Sequence, residues 1–305
     1  MSQTLLEFAE PFLSKVEAMV HAIAADVPVE TDWAQSSFGS WYNHPRQHGV
    51  ELTILASIYG CATYIFFRRL LRPGTENYKL LTEFEPAHKR ASLTERALTF
   101  SLICSLLMTL THKIIRSRVW FMMQPCHMSG LLLLITLVYP NKRSPIPHVF
   151  FNIYLHLQWG ALAALAFPDL REHTLIGETF NFFAEHILLL VVPVYMIYSR
   201  RYAVLPKSKE ILFLSFFCYS FFHTPVLHII SLISGFNLNY MFAPPPIKVL
   251  LQLGPSYRIV MYAVAFLFKF VTRFICVETV LAVMPREKPS EPVRKVPSVR
   301  SKKID

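Results

Sequence analysis

The sequence predicts an all-α, polytopic membrane protein of seven transmembrane helices, and three observations carry that expectation. Apolar residues make up 53% of the 305-residue chain and charged residues only 16%, against about 25% charged in ordinary soluble domains. Seven apolar runs recur along it, each near the roughly 20 helical residues that cross a bilayer core. Stretches such as Leu131–Ile135 and Ile187–Val194 show none of the polar striping that a soluble amphipathic helix keeps.

In chain order, Met1–Ala25 is moderately amphipathic, carries Glu7, Glu10 and Glu17, and lacks a basic signal-peptide start. It predicts a helix lying on the membrane or capping the bundle. Residues 28–48 are polar and turn-rich, so residues 1–48 form an N-terminal segment. The membrane domain, residues 49–284, begins with Gly49–Leu70, in which Glu51 is the single acid. Further spans follow at Ala97–Ile115, Val119–Tyr139, His148–Phe167, Phe182–Tyr198, Ile211–Ile233 and Ile259–Met284. The tail, residues 285–305, is rich in Pro, Ser, Lys and Arg and cannot bury a core, so disorder is expected there.

Charge sets the expected orientation. Alternate segments hold 20 Lys and Arg on one side, including Arg68, Arg69, Arg200, Arg201 and the seven of the tail. The other side has 7: Lys15, Arg46, Lys113, Arg116, Arg118, Arg171 and Lys248. The positive-inside rule then puts the N-terminus in the lumen and the C-terminus in the cytosol. Anionic cytosolic lipid accounts for the net charge of +10 without any nucleic-acid partner. The chain ends Lys302-Lys303-Ile304-Asp305, which has the form of a di-lysine retrieval signal and predicts residence in the endoplasmic-reticulum membrane.

The chemistry-bearing residues lie inside the spans. Cys61, Cys104, Cys126, Cys218 and Cys276 form no C-x-x-C pair. Cys126 alone stands between a proline and a histidine, Pro125-Cys126-His127. His156, His186, His223 and His228 are also intramembrane, where an ionisable side chain is costly to hold without a use. At a rise of about 1.5 Å per residue, Cys126 is expected roughly 10 Å below the lumenal face, His186 roughly 6 Å, and His156 and His223 on the order of 15 Å. A buried thiol needs an imidazole to take its proton. The pair can then attack an ester and form a thioester that a second nucleophile resolves. Asn237 and Asn239, just beyond the sixth span, are placed to stabilise an oxyanion or orient a head group.

The runs Gln124-Pro125-Cys126-His127-Met128, His156–Pro168, Glu185–Tyr195, Phe221–Leu227, Asn237–Met241 and Gly254–Ile259, with the final Lys-Lys-Ile-Asp, resemble the transmembrane protein 164 family. The likeness covers about residues 118–260 and the tail. It implies a seven-span acyltransferase that moves an acyl chain, chiefly arachidonoyl, from a phospholipid donor to a lysophospholipid acceptor, building ether phospholipids. It implies Cys126 as the acyl-carrying nucleophile and His186 as its partner. From their own positions in the chain, His127, His156, His223, Asn237 and Asn239 are expected around the substrate, and no cofactor is expected. It also implies a fold like that of membrane threonine hydrolases acting on esters of hydroxy fatty acids. Gln124 stands where the family usually has Asn.

Two other chemistries fit part of the pattern. An intramembrane hydrolase would use either Cys126 or a zinc ion held by His156, His186 and His223. A receptor would also have seven spans, but the third ends Leu137-Val138-Tyr139-Pro140, without an Asp-Arg-Tyr motif. Lys269 and Arg273 lie four apart on one face of the last span. They are expected near its cytosolic end, either snorkelling or holding a lipid phosphate.

Overall fold

The computed structural model describes residues 3–24, 41–171 and 173–284, with side chains from residue 7 onward. The Lys-Lys-Ile-Asp sequence expected to act as a retrieval signal, and the basic tail, lie outside the described residues. Those residues form ten helices, with no β-sheet: α1 (Gln3–Ile23), α2 (Pro45–Leu70), α3 (Glu76–Thr82), α4 (Leu93–Ile115), α5 (Pro125–Val138), α6 (Pro145–Ala166), α7 (Glu178–Tyr198), α8 (Lys209–Ser234), α9 (Lys248–Gln252) and α10 (Gly254–Val283).

Six of these, α2, α4, α6, α7, α8 and α10, are long and apolar enough to cross a membrane, and α5 is a shorter apolar helix of 14 residues. Phe100, Leu107, Leu131, Ile187, Val191, Leu267 and Ile275 are exposed on their outer faces. Such an exterior suits lipid, because helices satisfy their backbone hydrogen bonds internally. The chain is therefore a polytopic α-helical membrane protein.

The expected third span, Val119–Tyr139, is corrected. A 3₁₀ segment occupies Val119–Met123, and a new helix starts at Pro125. The break is local chemistry. Proline suits the first helical position because its missing N–H would be unsatisfied there. Its ring also pushes the preceding residue out of the α region, and Gln124 is found at φ −56°, ψ 141°. At about 1.5 Å per residue, α5 is about 21 Å long, short of a core of about 30 Å. Its N-terminal end, carrying Cys126, opens onto a recess.

Polar pairs lock α4 to α7. Ser105 donates to Asn181 Oδ1 at 2.9 Å, Asn181 Nδ2 reaches Thr109 at 2.8 Å, and Thr109 donates to Glu185 at 2.6 Å. Tyr154 of α6 donates to the Leu189 carbonyl. Gly130 lets α5 into the same core, since a Cβ there would stand 3.3 Å from both Leu106 and Leu189. Of the two placements expected for the N-terminal helix, the packing is that of a cap: α1 lies on the start of α2, with Arg46 paired to Glu10 and Glu17.

Candidate active site

Cys126 is the second residue of α5. Met128 N–H bonds Gln124 O, so the N–H groups of Cys126 and His127 are the first-turn donors left without a partner inside the helix. They sit at the positive end of the helix dipole, where an anion is favoured.

Both neighbouring imidazoles, His127 beside it and His186 of α7, share a cavity wall with the thiol and are coupled to it electrostatically. Each ring is fixed through its other side. His127 Nδ1 is 2.6 Å from Glu185 Oε1, and the second oxygen of that buried carboxylate accepts from Thr109. His186 Nδ1 is 2.7 Å from the Phe182 carbonyl. Because a carboxylate and a carbonyl only accept, both Nδ1 atoms carry hydrogen and each Nε2 keeps the lone pair in the neutral ring. The thiol thus meets two proton acceptors, one of them backed by a carboxylate.

Two cavities share Cys126 as part of their walls. The polar one, of about 600 Å³, is lined by Lys113, Arg118, Asp169, His173, Asn181 and Glu185 among others. The apolar one, of about 710 Å³, runs past Trp159, Ala163, Phe167, Ile247 and Met261. Gln124, Phe182, His186, Asn239 and Tyr240 border both. Volumes of this order suit lipid-sized ligands. At the polar rim, a hydrogen bond from Arg171 holds the Asp169 carboxyl below its usual range, and burial holds the His173 imidazole below its own.

The residues expected at the site divide. His186 and His127 meet Cys126. His223 and Asn239 line the apolar cavity, and His223 Nδ1 is 2.8 Å from the Tyr262 hydroxyl. His223 sits in a π-helical turn ahead of Pro225, where Thr224 is driven to φ −135°, ψ 100°, as a residue before proline is. Asn239 holds a left-handed backbone, φ 46°, and borders both cavities.

Asn237 borders the polar cavity, and its own loop holds its amide: it accepts from Phe242 N at 2.7 Å and donates to Ala243 O at 3.1 Å. Three expectations need correction. His156 borders neither cavity; it is buried, with Nδ1 on the Asn152 carbonyl. Lys269 and Arg273 are fully buried rather than at a cytosolic mouth. Lys269 Nζ lies 4.3 Å from the Tyr219 ring centroid, and Arg273 bonds Glu278 and the Leu205 carbonyl. Their stems are walled in by neighbouring helices, so neither snorkels.

Among the described residues no three His, Cys, Asp or Glu side chains are grouped as a metal ion needs. His156, His186 and His223 therefore do not assemble the ligand set of the zinc reading. The sequence assigned Glu185 no role beyond its place in the Glu185–Tyr195 run, and Thr109 and Asn181 were passed over. The signal was present in polar residues four apart on each of two spans, Ser105 and Thr109 facing Asn181 and Glu185.

The chain is 31% identical over 177 residues to the transmembrane protein 164 homolog of Dictyostelium discoideum, an alignment covering 57% of this chain and 63% of that protein. No solved structure matches. Residues 43–276, more than three-quarters of the chain and inclusive of every residue of the site, match the TMEM164 family, and the protein belongs to that family.

Proposed function

We propose that the protein is a membrane acyltransferase that carries a fatty acyl chain on Cys126 from a phospholipid to a lysophospholipid. The observation that carries this reading is a thiol held between two oriented imidazoles, where a polar and an apolar cavity meet. A phospholipid ester has that same division, with a polar head on one side of the carbonyl and an acyl chain on the other.

In the first half-reaction the Cys126 thiol gives its proton to an imidazole Nε2, and Sγ attacks the ester carbonyl. The carbonyl oxygen becomes an oxyanion next to the first-turn N–H groups of α5. The intermediate collapses, the C–O ester bond breaks, and the imidazolium protonates the departing lysophospholipid oxygen. A thioester remains. In the second, the acceptor hydroxyl gives its proton to the same imidazole and attacks the thioester carbonyl. The C–S bond breaks and the thiolate recovers the proton. The Glu185 carboxylate keeps the His127 proton on Nδ1 throughout and offsets the charge of the imidazolium.

The acyl chain is a polyunsaturated one and the acceptor an ether lysophospholipid, on the strength of the family resemblance. The di-lysine ending supports an endoplasmic-reticulum location, and the basic-residue bias supports seven spans with a lumenal N-terminus.

The test is intact-protein mass spectrometry after incubation with phosphatidylcholine. One acyl mass should appear, disappear with hydroxylamine, and be absent in Cys126→Ala. An adduct that persists in Cys126→Ala removes the reading. Adding a lyso ether lipid then separates transfer from hydrolysis: transfer yields a new diradyl lipid, and hydrolysis yields only free fatty acid.

A further inference from the structure

Building on the acyl-transfer reading, the geometry points to a phosphate site in the polar cavity, formed by Lys113 and Arg118, that takes the phosphodiester of a glycerophospholipid and sets its ester at Cys126.

The site begins with how α4 ends. Ser117 adopts φ 55°, and Arg118 N–H reaches back to Lys113 O at 2.8 Å. This is the six-to-one bond of a helix-terminating turn that usually has glycine at the left-handed position. A side chain there costs roughly 1–2 kcal/mol, and the turn brings Arg118 back over the last turn of the helix. The two cations then converge on one ring: Lys113 Nζ lies 5.4 Å and Arg118 Cζ 5.8 Å from the Phe121 centroid. Both line the cavity that reaches Cys126.

Among the described residues, the carboxylates of the same wall each have a partner. Glu178 is 2.9 Å from Arg116, Asp169 is bound by Arg171 at 2.8 and 2.6 Å, and Glu185 is held by His127 and Thr109. The charge pattern along the chain points the same way. The cation-poor set of segments has 7 Lys and Arg, and three of those seven fall in residues 113–118. An arginine fork with a lysine point charge is the usual protein answer to a phosphate group. In a glycerophospholipid that group is only a few bonds from the ester carbonyl, so anchoring it limits where the carbonyl can lie.

Binding is measured on the full chain carrying Cys126→Ala, in detergent, by native mass spectrometry, so that no acyl chemistry enters. The probes are dioctanoylphosphatidylcholine, dioctanoylglycerol and inorganic phosphate. Phosphatidylcholine should bind about tenfold more tightly than the diacylglycerol, the scale of one or two charge-assisted hydrogen bonds. Lys113→Gln with Arg118→Gln should bring the two lipids to within about threefold of each other, while Lys113→Arg with Arg118→Lys keeps the preference. The proposal is overturned if the parent shows no preference for the phosphate-bearing lipid, if the Gln pair retains it, or if inorganic phosphate binds as tightly as the phospholipid. Should the Gln pair lose both lipids, the charge-retaining pair decides: a kept preference supports the site, and an equal loss overturns it. Absence of an acyl adduct on Cys126 in the unmutated protein would remove the catalytic reading and leave this binding result standing.

Discussion

Cys126 is set apart by what its neighbours are bonded to. His127 is held by a buried carboxylate and His186 by a backbone carbonyl, so His127 is the ring better prepared to become an imidazolium. His127→Ala should therefore slow thioester formation at least as much as His186→Ala, by roughly 10²-fold, the scale of a lost general base. Glu185→Gln should slow it by about tenfold or more, since Gln keeps the shape and removes the charge. A stopped-flow or quenched mass-spectrometric rate checks both. If His127→Ala stays within a few-fold of the parent, His186 is the sole base and the Glu185 dyad is structural. His228 gives the contrast. It pairs at 2.8 Å with His48 in a buried pocket away from the thiol, so His228→Ala should lower the melting temperature and leave the acylation rate within a few-fold. The Pro-Cys-His motif and the match to His186 made part of this site legible in sequence. Glu185 was not, because its partner His127 is 58 residues away and only the packing of α5 on α7 brings them together.

Helices position these groups, and one helix is unusually short. The apolar run Val119–Tyr139 read as a single span, and hydropathy alone could not show that Pro125 splits it; the proline itself was the available sign. The remaining spans were legible because lipid demands long apolar runs. Gly130 sets the approach of α5 to α4 and α7. Gly130→Val should overpack that contact, cost about 1–3 kcal/mol, and draw Cys126 and His127 away from Glu185 and His186. Thermal stability and adduct formation should then fall together, whereas a loss of stability alone would separate the packing from the site. The α1 cap has its own dependence on pH. The hydrogen bond from Arg46 holds the Glu17 carboxyl below its ordinary value of 4.5. A lowered folded-state value means that this contact stabilises docking at neutral pH, and that the stabilisation is lost as pH falls below 4.5 through the lowered value. Hydrogen exchange in α1 should stay slow at neutral pH and speed up on acidification, and Glu17→Gln should remove the acid step.

At the scale of the whole molecule, the charge asymmetry and the site make one joint statement about orientation. The cation-poor segments include Lys113, Arg118 and Arg171, all of which line the polar cavity. The cation-rich segments, with Arg68, Arg69, Arg200 and Arg201, occupy the other helix ends. If the positive-inside bias governs insertion, the polar cavity opens away from the cytosol, and the acyl transfer we propose would belong to the lumenal leaflet. Two reporters test this in a chain lacking the exposed cysteines Cys61 and Cys104. Ile176, 97% exposed in the loop before α7, and Glu85, on an exposed side chain in the loop before α4, are each replaced by cysteine. In cells whose plasma membrane alone is permeabilised, an impermeant maleimide should label Glu85→Cys and spare Ile176→Cys, and dissolving all membranes should expose both. Labelling of Ile176→Cys in the first condition would invert the orientation. The cavity would then face the cytosol, and Lys113, Arg116 and Arg118 would be counted among the cytosolic cations that fix insertion rather than set apart from them.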